Sequence, residues 1–550
     1  MRGKLWPRLL IGIGALLVAR AGASFLFSGV TDDHAWIAFR YARNLANGYG
    51  LVFNPHGLRE EGYSDFLWVL SLAAVYRFYK NLWVASQIFG WLCYVAAYVF
   101  TSWAALGLAK DGLAGKRAPL PALLVVLTGF CLSFSSCYWA TYGMQAPMVQ
   151  CTSALFLASF IRYLTKESEG RYSLLPPVVA GFLYGISRTE ADFHVAAALV
   201  GTVAAYGFWH WRGKDERSGR LLKRSFRVAR WLIPLLLLEF VGEWLYFRNW
   251  ISNPYFVQTR GIHGFHFEYI LHEGFLKYVR DYPLFSAAVG VALLTTLVRF
   301  ARRTLTPAAV IVPAWILTYL PVLMNGDMQV FPYYRFVVHL YPALLLLLVL
   351  PLLDVSSSFL IGGRDIRKPA ARVVFLILLF VLATSDAGNW KVMKERFGII
   401  PFKAIPDNAR NPPRWIMEEN LRNPEFDVAR WLQANTKPNA TVVLLQSGVI
   451  PYYSDRVVYD AYGFNTYEIA RLRWLPDNAH RRAEALLKKN PDFLVFDGTK
   501  QGDSFELQAT VARVLFDLPS SKSYTPLKIL SYGPGDPRCY IIFGKSGERN

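Results

Sequence analysis

Two adjacent carboxylates, Asp32 and Asp33, follow directly after the first long apolar block of the sequence. One aspartate is enough to cap a helix, because its side chain binds free N–H groups of the first turn and its charge suits the positive end of the helix dipole. Two adjacent carboxylates are more than a helix cap requires. A carboxylate in this position can take a proton from a hydroxyl group and stabilise growing positive charge. Helix capping and general-base catalysis are therefore the two interpretations of this pair.

Several later segments between apolar blocks add charged and amide side chains. They are Arg188, Glu190, Asn253, Asp327 and Arg335. Arginine binds the charge of a phosphate through paired hydrogen bonds, while carboxylates and amides bind hydroxyl groups. Any one such residue at the end of a membrane helix can be a simple interfacial anchor. The set as a whole fits the transfer of a group from a phosphate ester to a hydroxyl.

The elements that would position these residues are membrane helices. Hydrophobic residues make up 54% of the 550 residues, and they are concentrated in blocks before residue 388. We predict about eleven membrane crossings, because blocks of about 17–25 apolar residues span a bilayer. The first helix, over residues 9–30, is expected to be retained and to lead into a first outer loop over 31–65. A shorter apolar helix within 66–80 is expected to lie in the interface, and a full crossing there would invert the later topology.

The first outer loop contains a predicted amphipathic helix over Ala35–Asn47. Arg40 and Arg43 share its polar face, while Trp36 and Phe39 lie on the other side. This pattern is typical of a helix that lies in the membrane interface. Arg40 is a further candidate for binding the substrate.

The distribution of charge orients the membrane domain. The formal net charge is +20, and the densest basic run, from Arg212 to Arg230, lies between two apolar blocks. Because Lys and Arg are enriched in cytoplasmic loops, this run marks the cytoplasmic side rather than a nucleic-acid surface. The first outer loop and the C-terminal part then lie on the periplasmic or extracellular side of the plasma membrane. The sequence contains no P-loop, GxGxxG motif or metal-ligand spacing of cysteines.

Residues 388–550 have the composition of a separate soluble domain. Helical patterns over Asp427–Asn435 and Arg481–Lys489 alternate with runs typical of strands. The predicted strands are Ala440–Gln446, Asp492–Phe496, Leu527–Ser531 and Cys539–Phe543. This alternation predicts an α/β domain after the last membrane crossing.

The segment DDHAWIAFRYARNLANGYGLVFNPHGLREEGYSDFLW (32–68) resembles the first outer loop of type C (GT-C) glycosyltransferases. Within that superfamily, the chain is most similar to the terminal arabinofuranosyltransferases of the mycobacterial cell wall and their bacterial relatives. Weaker similarities follow in order along the chain. They are YWATYGMQAPM (138–148), SRTEA (187–191), NPYF (253–256), NGDMQVFPYYRF (325–336) and GVIPYYSDRVVYDAYGF (448–464).

The resemblance implies a polytopic GT-C membrane domain over 1–387 and an extracytoplasmic α/β domain over 388–550. It also implies roles for individual residues. Asp32 would be the catalytic base with Asp33 beside it, and Glu61 and Tyr63 would line the sugar pocket. Arg188 and Arg335 would hold the phosphate. Two departures concern the sugar or the acceptor more than the reaction: the family pattern has Glu at the position of Gln145 and Asn at the position of Asp65.

The function implied is transfer of a sugar, D-arabinofuranose by resemblance, from a polyprenyl phosphate to a cell-envelope glycan or protein, with inversion. A mannose or aminoarabinose donor on the same fold is the nearest alternative. A transporter of lipid-linked sugars is another, although the chain lacks the internal repeat typical of transporters. Expected partners are the lipid donor, the acceptor and membrane lipid, and no nucleic acid. The sequence identifies no cofactor, and a divalent cation beside the acidic pair stays open.

Overall fold

The computed structural model describes fifteen stretches of the chain, and all structural statements below refer to them. They are residues 5–23, 33–111, 119–165, 173–213, 216–258, 276–301, 306–325, 334–355, 360–361, 364–365, 367–386, 424–472, 478–501, 504–532 and 535–545. Asp32, Asp327 and the domain boundary predicted between residues 387 and 388 lie outside these stretches, so these predictions remain untested.

The chain divides into two compact units, each assembled from segments that are distant in sequence. The unit that we call the membrane unit comprises Met1–Leu26, Ser86–Phe240 and Phe265–Lys403. The other, the loop–tail unit, comprises Phe27–Ala85, Val241–Gly264 and Ala404–Asn550. The predicted first outer loop therefore belongs to the same compact unit as the C-terminal domain.

Helices account for nearly all of the described structure before residue 386. They are α1 (Leu5–Ala23), α2 (Asp33–Ala46), α3 (Phe66–Tyr76), α4 (Leu82–Asp111), α5 (Pro119–Leu132), α6 (Phe134–Ala140), α7 (Ala146–Thr165), α8 (Leu175–Gly185), α9 (Ala191–Gly213), α10 (Glu216–Phe247), α11 (Asn253–Gln258), α12 (Leu276–Asp281), α13 (Pro283–Ala301), α14 (Ala308–Asn325), α15 (Arg335–Val355) and α16 (Arg367–Ser385). Two short strands, β1 (Leu360–Ile361) and β2 (Arg364–Asp365), form a hairpin between α15 and α16.

Five of the described helices are long and apolar enough to cross a membrane, or six if α5 and α6, which meet at 63°, form one broken span. Four more apolar helices are shorter, and α3 is one of them. With 11 residues, α3 is only about 16 Å long, whereas the hydrocarbon core is about 30 Å thick. It is thus too short to cross alone, as expected for the stretch 66–80.

Helix α15 forms the centre of the membrane unit. It packs against α7, α13 and α14, and 94% of its apolar stretch Arg335–Leu353 is buried in the protein. A membrane helix that is hydrophobic all round and yet surrounded by protein belongs to the interior of a bundle. The residues at its first turn are consequently held among other helices rather than exposed to lipid.

The C-terminal part of the loop–tail unit is an α/β domain. Its helices are α17 (Glu425–Asn435), α18 (Val449–Ser454), α19 (Tyr467–Arg471), α20 (Ala479–Lys488) and α21 (Thr510–Asp517). Its strands are β3 (Thr441–Leu444), β4 (Val457–Asp460), β5 (Phe493–Gln501), β6 (Ser504–Leu507), β7 (Tyr524–Ser531) and β8 (Arg538–Lys545). The polytopic helical fold with a C-terminal α/β domain is therefore confirmed.

These six strands form one mixed sheet in the order β4-β3-β5-β8-β7, with β6 paired to the end of β5. Strand β3 is parallel to both β4 and β5, and Val442 lies opposite Val458 and Phe493. Strand β8 is antiparallel to β5 and β7. Because β3 and β4 are parallel neighbours, the segments that follow them, 445–449 and 461–467, leave the same edge of the sheet.

Each helix and strand predicted in the C-terminal domain is present, with ends shifted by a few residues. The sequence patterns missed the short elements β4, β6, α18, α19 and α21. Strand β4 has only 4 residues and β6 likewise has 4. Runs of this length carry little periodicity, so tertiary pairing decides their conformation.

Helix α2 confirms the predicted helical segment, but protein covers the side that we expected to face lipid. The ring of Trp36 contacts Tyr452, Tyr453 and Phe426 of the C-terminal domain. On the opposite side Arg40 is fully buried. The amphipathic pattern therefore reflects two different protein contacts within the loop–tail unit, and the position of this helix at the membrane interface stays a prediction.

Candidate functional site

Asp33 is the first residue of α2, and its carboxylate binds the start of α18. Asp33 Oδ1 accepts a hydrogen bond from the backbone N–H of Val449 at 2.7 Å, and Oδ2 accepts one from Gly448 at 3.0 Å. These N–H groups belong to a helix N-terminus, where backbone donors lack partners within the helix. The carboxylate thus satisfies them from a position 415 residues earlier in the chain.

Gly448 is required for this contact. A Cβ atom on residue 448 would lie 1.8 Å from the carbonyl oxygen of Asp33 and 2.4 Å from its Oδ1. Non-bonded atoms cannot approach so closely, and the nearest atom is backbone, which cannot swing away. Only glycine lets the segment after β3 approach the first turn of α2.

Arg40 binds backbone carbonyl groups on both sides of α2. Its guanidinium donates to the carbonyl oxygens of Phe53 at 2.7 Å and Arg456 at 2.8 Å. It also donates to the carbonyl of Pro451 and, at 3.2 Å, to Asn54 Oδ1. Burial lowers the pKa of Arg40 to about 9, so the side chain is still charged at neutral pH. Its hydrogen bonds join the first outer loop to the C-terminal domain.

Glu61, Tyr63 and Asn253 come together in the loop–tail unit. The backbone N–H of Asn253 donates to the carbonyl oxygen of Glu61 at 3.0 Å, and Asn253 Nδ2 donates to the carbonyl of Phe464 at 3.3 Å. The ring of Tyr63 packs edge-on against Tyr41, with centroids 4.9 Å apart. Among the described residues, neither the buried Tyr63 hydroxyl nor Asn253 Oδ1 has a hydrogen-bond partner.

Asn465 is a third buried polar residue of this cluster, and the sequence interpretation missed it. Its backbone N–H and its Nδ2 both donate to Asp460 Oδ2, at 3.0 and 3.4 Å, which fixes the orientation of the amide. Asn465 Oδ1 is buried and has no hydrogen-bond partner in the described part of the chain. It lies against Gly62, where a Cβ atom would be 2.0 Å away. The similarity motif GVIPYYSDRVVYDAYGF ends one residue before it, at Phe464, so the sequence interpretation stopped just short of Asn465.

Buried polar atoms without partners are rare in native proteins and call for a ligand or water. Asn253 contacts Glu61 and Asn465 lies against Gly62, and Tyr63 follows directly in the chain. Both amide oxygens are acceptors, and the Tyr63 hydroxyl can accept or donate. We call Tyr63, Asn253 and Asn465 the oxygen cluster. Its chemistry suits the hydroxyl groups of a sugar.

A second cluster, in the membrane unit, contains two arginines. Arg188 lies between α8 and α9, and its Nε donates to Glu190. Its guanidinium lies 4.6 Å from the ring centroid of Phe336. Arg335, the first residue of α15, places its guanidinium 5.4 Å from the same ring and 5.7 Å from that of Trp139. Both arginine side chains are buried. We call Arg188, Glu190, Arg335 and Phe336 the arginine cluster.

The described residues include no group of three or more His, Cys, Asp or Glu side chains that could hold a metal ion. Of the acidic pair Asp32 and Asp33, only Asp33 lies in the described part of the chain. The divalent cation that the sequence left open remains untested.

Comparison with protein families yields one match. A family described as a domain of unknown function (DUF8728) matches residues 414–542, which is most of the C-terminal domain and less than half of the chain. No curated protein matches the sequence significantly.

Solved structures share the architecture at low sequence identity. The apo oligosaccharyltransferase of Archaeoglobus fulgidus is 14% identical with a TM-score of 0.54, over 99% of this chain and 75% of that chain. Oligosaccharyltransferase AglB from the same organism, in complex with an inhibitory peptide and a dolichol-phosphate, is 12% identical with a TM-score of 0.51, over 92% and 74%. Apo ArnT from Cupriavidus metallidurans is 12% identical with a TM-score of 0.48, over 98% of both chains. The two oligosaccharyltransferase structures show that the chain has the GT-C fold, and its long apolar helices are those of a membrane protein.

Proposed function

We propose that this protein is a glycosyltransferase that moves a sugar from a polyprenyl-phosphate donor to a hydroxyl acceptor. The observation that carries the proposal is the arginine cluster, in which Arg188 and Arg335 contact the ring of Phe336 inside the membrane unit. Buried cations in a membrane protein are costly and usually functional. A lipid phosphate is the complementary anion, and one neighbour in fold was solved with a dolichol-phosphate.

In this reaction the two arginines bind the phosphate that departs. Glu190 holds the guanidinium of Arg188 in place. As the acceptor oxygen bonds to the anomeric carbon, the bond from that carbon to the phosphate oxygen breaks, and its electron pair leaves with the phosphate. Guanidinium groups stabilise this growing negative charge because they are fixed and donate charge-assisted hydrogen bonds.

Asp32 is proposed as the general base, and Asp33 as the residue that positions it. Both carboxylate oxygens of Asp33 already accept backbone hydrogen bonds, so Asp33 is poorly suited to take a proton. Asp32 precedes it directly in the chain. Deprotonation of the acceptor by one base, with no covalent intermediate, gives inversion at the anomeric carbon.

The oxygen cluster is proposed to bind the sugar. The acceptor atoms of Asn253 and Asn465 and the hydroxyl of Tyr63 fit a polyhydroxylated ligand, with Glu61 beside them. A D-arabinofuranosyl donor and a cell-envelope glycan or protein acceptor follow from the resemblance in the first outer loop. The distribution of basic loops supports a reaction on the periplasmic or extracellular side of the plasma membrane. Arg40 is assigned a structural role, because its guanidinium binds backbone carbonyls.

Binding of decaprenyl phosphate and of decaprenol to the full-length protein in nanodiscs tests the arginine cluster. We expect the wild type to prefer the phosphate. Arg335→Gln should weaken phosphate binding at least about tenfold, since a hydrogen bond to a charged group contributes about 1.5–3 kcal/mol. Arg220→Gln is the matched control, because Arg220 is an exposed arginine of the membrane unit. Equal binding of both lipids by the wild type would overturn the proposal.

A further inference from the structure

His339 lies on α15, four residues after Arg335, so the two side chains share one face of the helix. Its imidazole is 1% exposed and contacts the ring of Phe336, with centroids 6.0 Å apart. Phe336 is the ring that both Arg188 and Arg335 contact. The histidine therefore belongs to the surroundings of the arginine cluster, although neither the sequence motifs nor the proposed function assigns it a role.

The two nitrogens of this imidazole differ in their contacts. Nδ1 is hydrogen-bonded to the hydroxyl of Tyr319 at 2.8 Å. Nε2 is buried and has no hydrogen-bond partner among the residues that the structure describes. Leaving a buried polar atom in this state is costly, because it gives up its bonds to water without replacement.

A neighbouring histidine shows what a structural imidazole looks like in the same unit. His194 is also buried. Its Nδ1 is bonded to the Tyr184 hydroxyl at 2.6 Å, and its Nε2 to the carbonyl oxygen of Trp315 at 2.8 Å. Both nitrogens of His194 are satisfied by protein, so packing alone explains it. His339 makes the corresponding contact with a tyrosine through Nδ1, but no described residue is hydrogen-bonded to its Nε2.

We propose that His339 is a third phosphate-binding residue, whose Nε2 donates a hydrogen bond to the phosphate of the lipid donor. This inference rests on the proposed function. The proposal requires the tautomer in which the Tyr319 hydroxyl donates to Nδ1 and the ring proton is on Nε2. Glu190 already pairs with Arg188, and a bound phosphate would bring a second anion to the guanidinium groups and to this N–H. A phosphate oxygen satisfies all three groups at once.

Two substitutions separate the two nitrogens. The amide of His339→Asn can still reach Tyr319 but not the position of Nε2, while the longer His339→Gln places an amide donor near that position. We expect His339→Asn to weaken decaprenyl phosphate binding by full-length protein in nanodiscs about tenfold. His339→Gln should stay within about threefold of the wild type. Decaprenol binding should change in neither variant.

The same pair of substitutions at His194 is the control. Because protein satisfies both nitrogens of His194, we expect either change there to lower the melting temperature without a selective loss of phosphate binding. Wild-type affinity in His339→Asn would overturn the role of His339 alone. So would an equal loss of affinity and melting temperature in both His339 variants. A wild type that does not distinguish decaprenyl phosphate from decaprenol would instead overturn the proposed function.

Discussion

The charged residues of the loop–tail unit and those of the membrane unit are bound in different ways. Around α2, Asp33 binds two backbone N–H groups, and Arg40 binds backbone carbonyls. In the arginine cluster, two guanidinium groups lie over the ring of Phe336, and one of them is held by Glu190. The first arrangement ties distant segments of chain together. The second concentrates positive charge where an anion can bind.

This difference separates structural from functional roles among residues that look alike in the sequence. A charged side chain that binds mainly backbone groups is part of the fold, and its loss should lower stability. Two buried guanidinium groups beside a single carboxylate favour a further anion, so the loss of one of them should lower ligand affinity instead. Stability and affinity measurements on variants of each region can therefore test this difference.

The largest expected effect in the loop–tail unit comes from Arg40→Ala. Removal of the guanidinium leaves buried carbonyl groups at Phe53, Pro451 and Arg456 without this donor. We expect a loss of about 3–5 kcal/mol in the free energy of unfolding, measured by thermal denaturation in detergent.

Arg43→Ala is the matched control for Arg40→Ala on the same helix. Arg43 donates to a single backbone carbonyl, that of Tyr452 at 2.8 Å, and pairs with the exposed Asp455. Arg40 donates to three carbonyls, so the loss of Arg43 should cost less, about 1–2 kcal/mol. If Arg40→Ala kept wild-type stability and lost only affinity for the lipid donor, Arg40 would bind substrate. The proposed difference between the two units would then be wrong.

A smaller effect is expected from Gly448→Ala. The added Cβ would overlap the backbone of Asp33, so the segment after β3 must move away from α2. We expect a loss of about 1–3 kcal/mol, as for overpacked positions. Gly242→Ala is the control, because a Cβ there meets nothing within 4 Å. Equal melting temperatures for the two variants would mean that Asp33 does not hold α18.

The smallest effect concerns Glu60, whose Oε1 accepts a hydrogen bond from the backbone N–H of Tyr467 at 3.2 Å. Burial raises the pKa of Glu60 from 4.5 to about 7. The folded state therefore binds the proton more tightly than the unfolded state, so Glu60 lowers stability progressively as the pH rises from about 4.5 to 7. Glu60→Gln should remove this loss.

We expect Glu60→Gln to be more stable than the wild type by about 1 kcal/mol at pH 8 and equal to it near pH 4.5, after allowance for solvent screening. Melting temperatures of both proteins between pH 4.5 and 8 measure the difference. Parallel curves for the two proteins would show that Glu60 titrates normally, and that the first outer loop is less buried against α19 than the structure shows.

The helices and strands that local sequence patterns determine could be predicted from the sequence. Apolar blocks identified the membrane helices, and alternating patterns identified most of the C-terminal sheet, because period and length are properties of short segments. The structural role of Asp33 could not be predicted in this way. Its partners lie 415 and 416 residues away, and no local spacing connects them. Asn465 was missed for the same reason, since its role depends on contact with Gly62.

The arginine cluster was predicted in part. Arg188 and Arg335 were chosen from their positions beside apolar blocks, but no local pattern places them on one aromatic ring. His339 was absent from the prediction, because a histidine inside an apolar helix is usually a packed residue like His194. Only the hydrogen bonds distinguish these two histidines.

The most direct test of the proposed function is transfer from synthetic decaprenyl-phosphoryl-arabinofuranose to an arabinose oligomer, measured for the wild type, Asp32→Asn and Asp33→Asn. We predict product with the wild type and a loss of at least about 100-fold in turnover for Asp32→Asn at an unchanged melting temperature, as expected for removal of a general base. Asp33→Asn should lower the melting temperature as well. Mannosyl and aminoarabinosyl polyprenyl phosphates serve as further donors, and transfer from one of them would change only the sugar. No transfer from any of the three donors, or full activity of Asp32→Asn, would contradict the proposal.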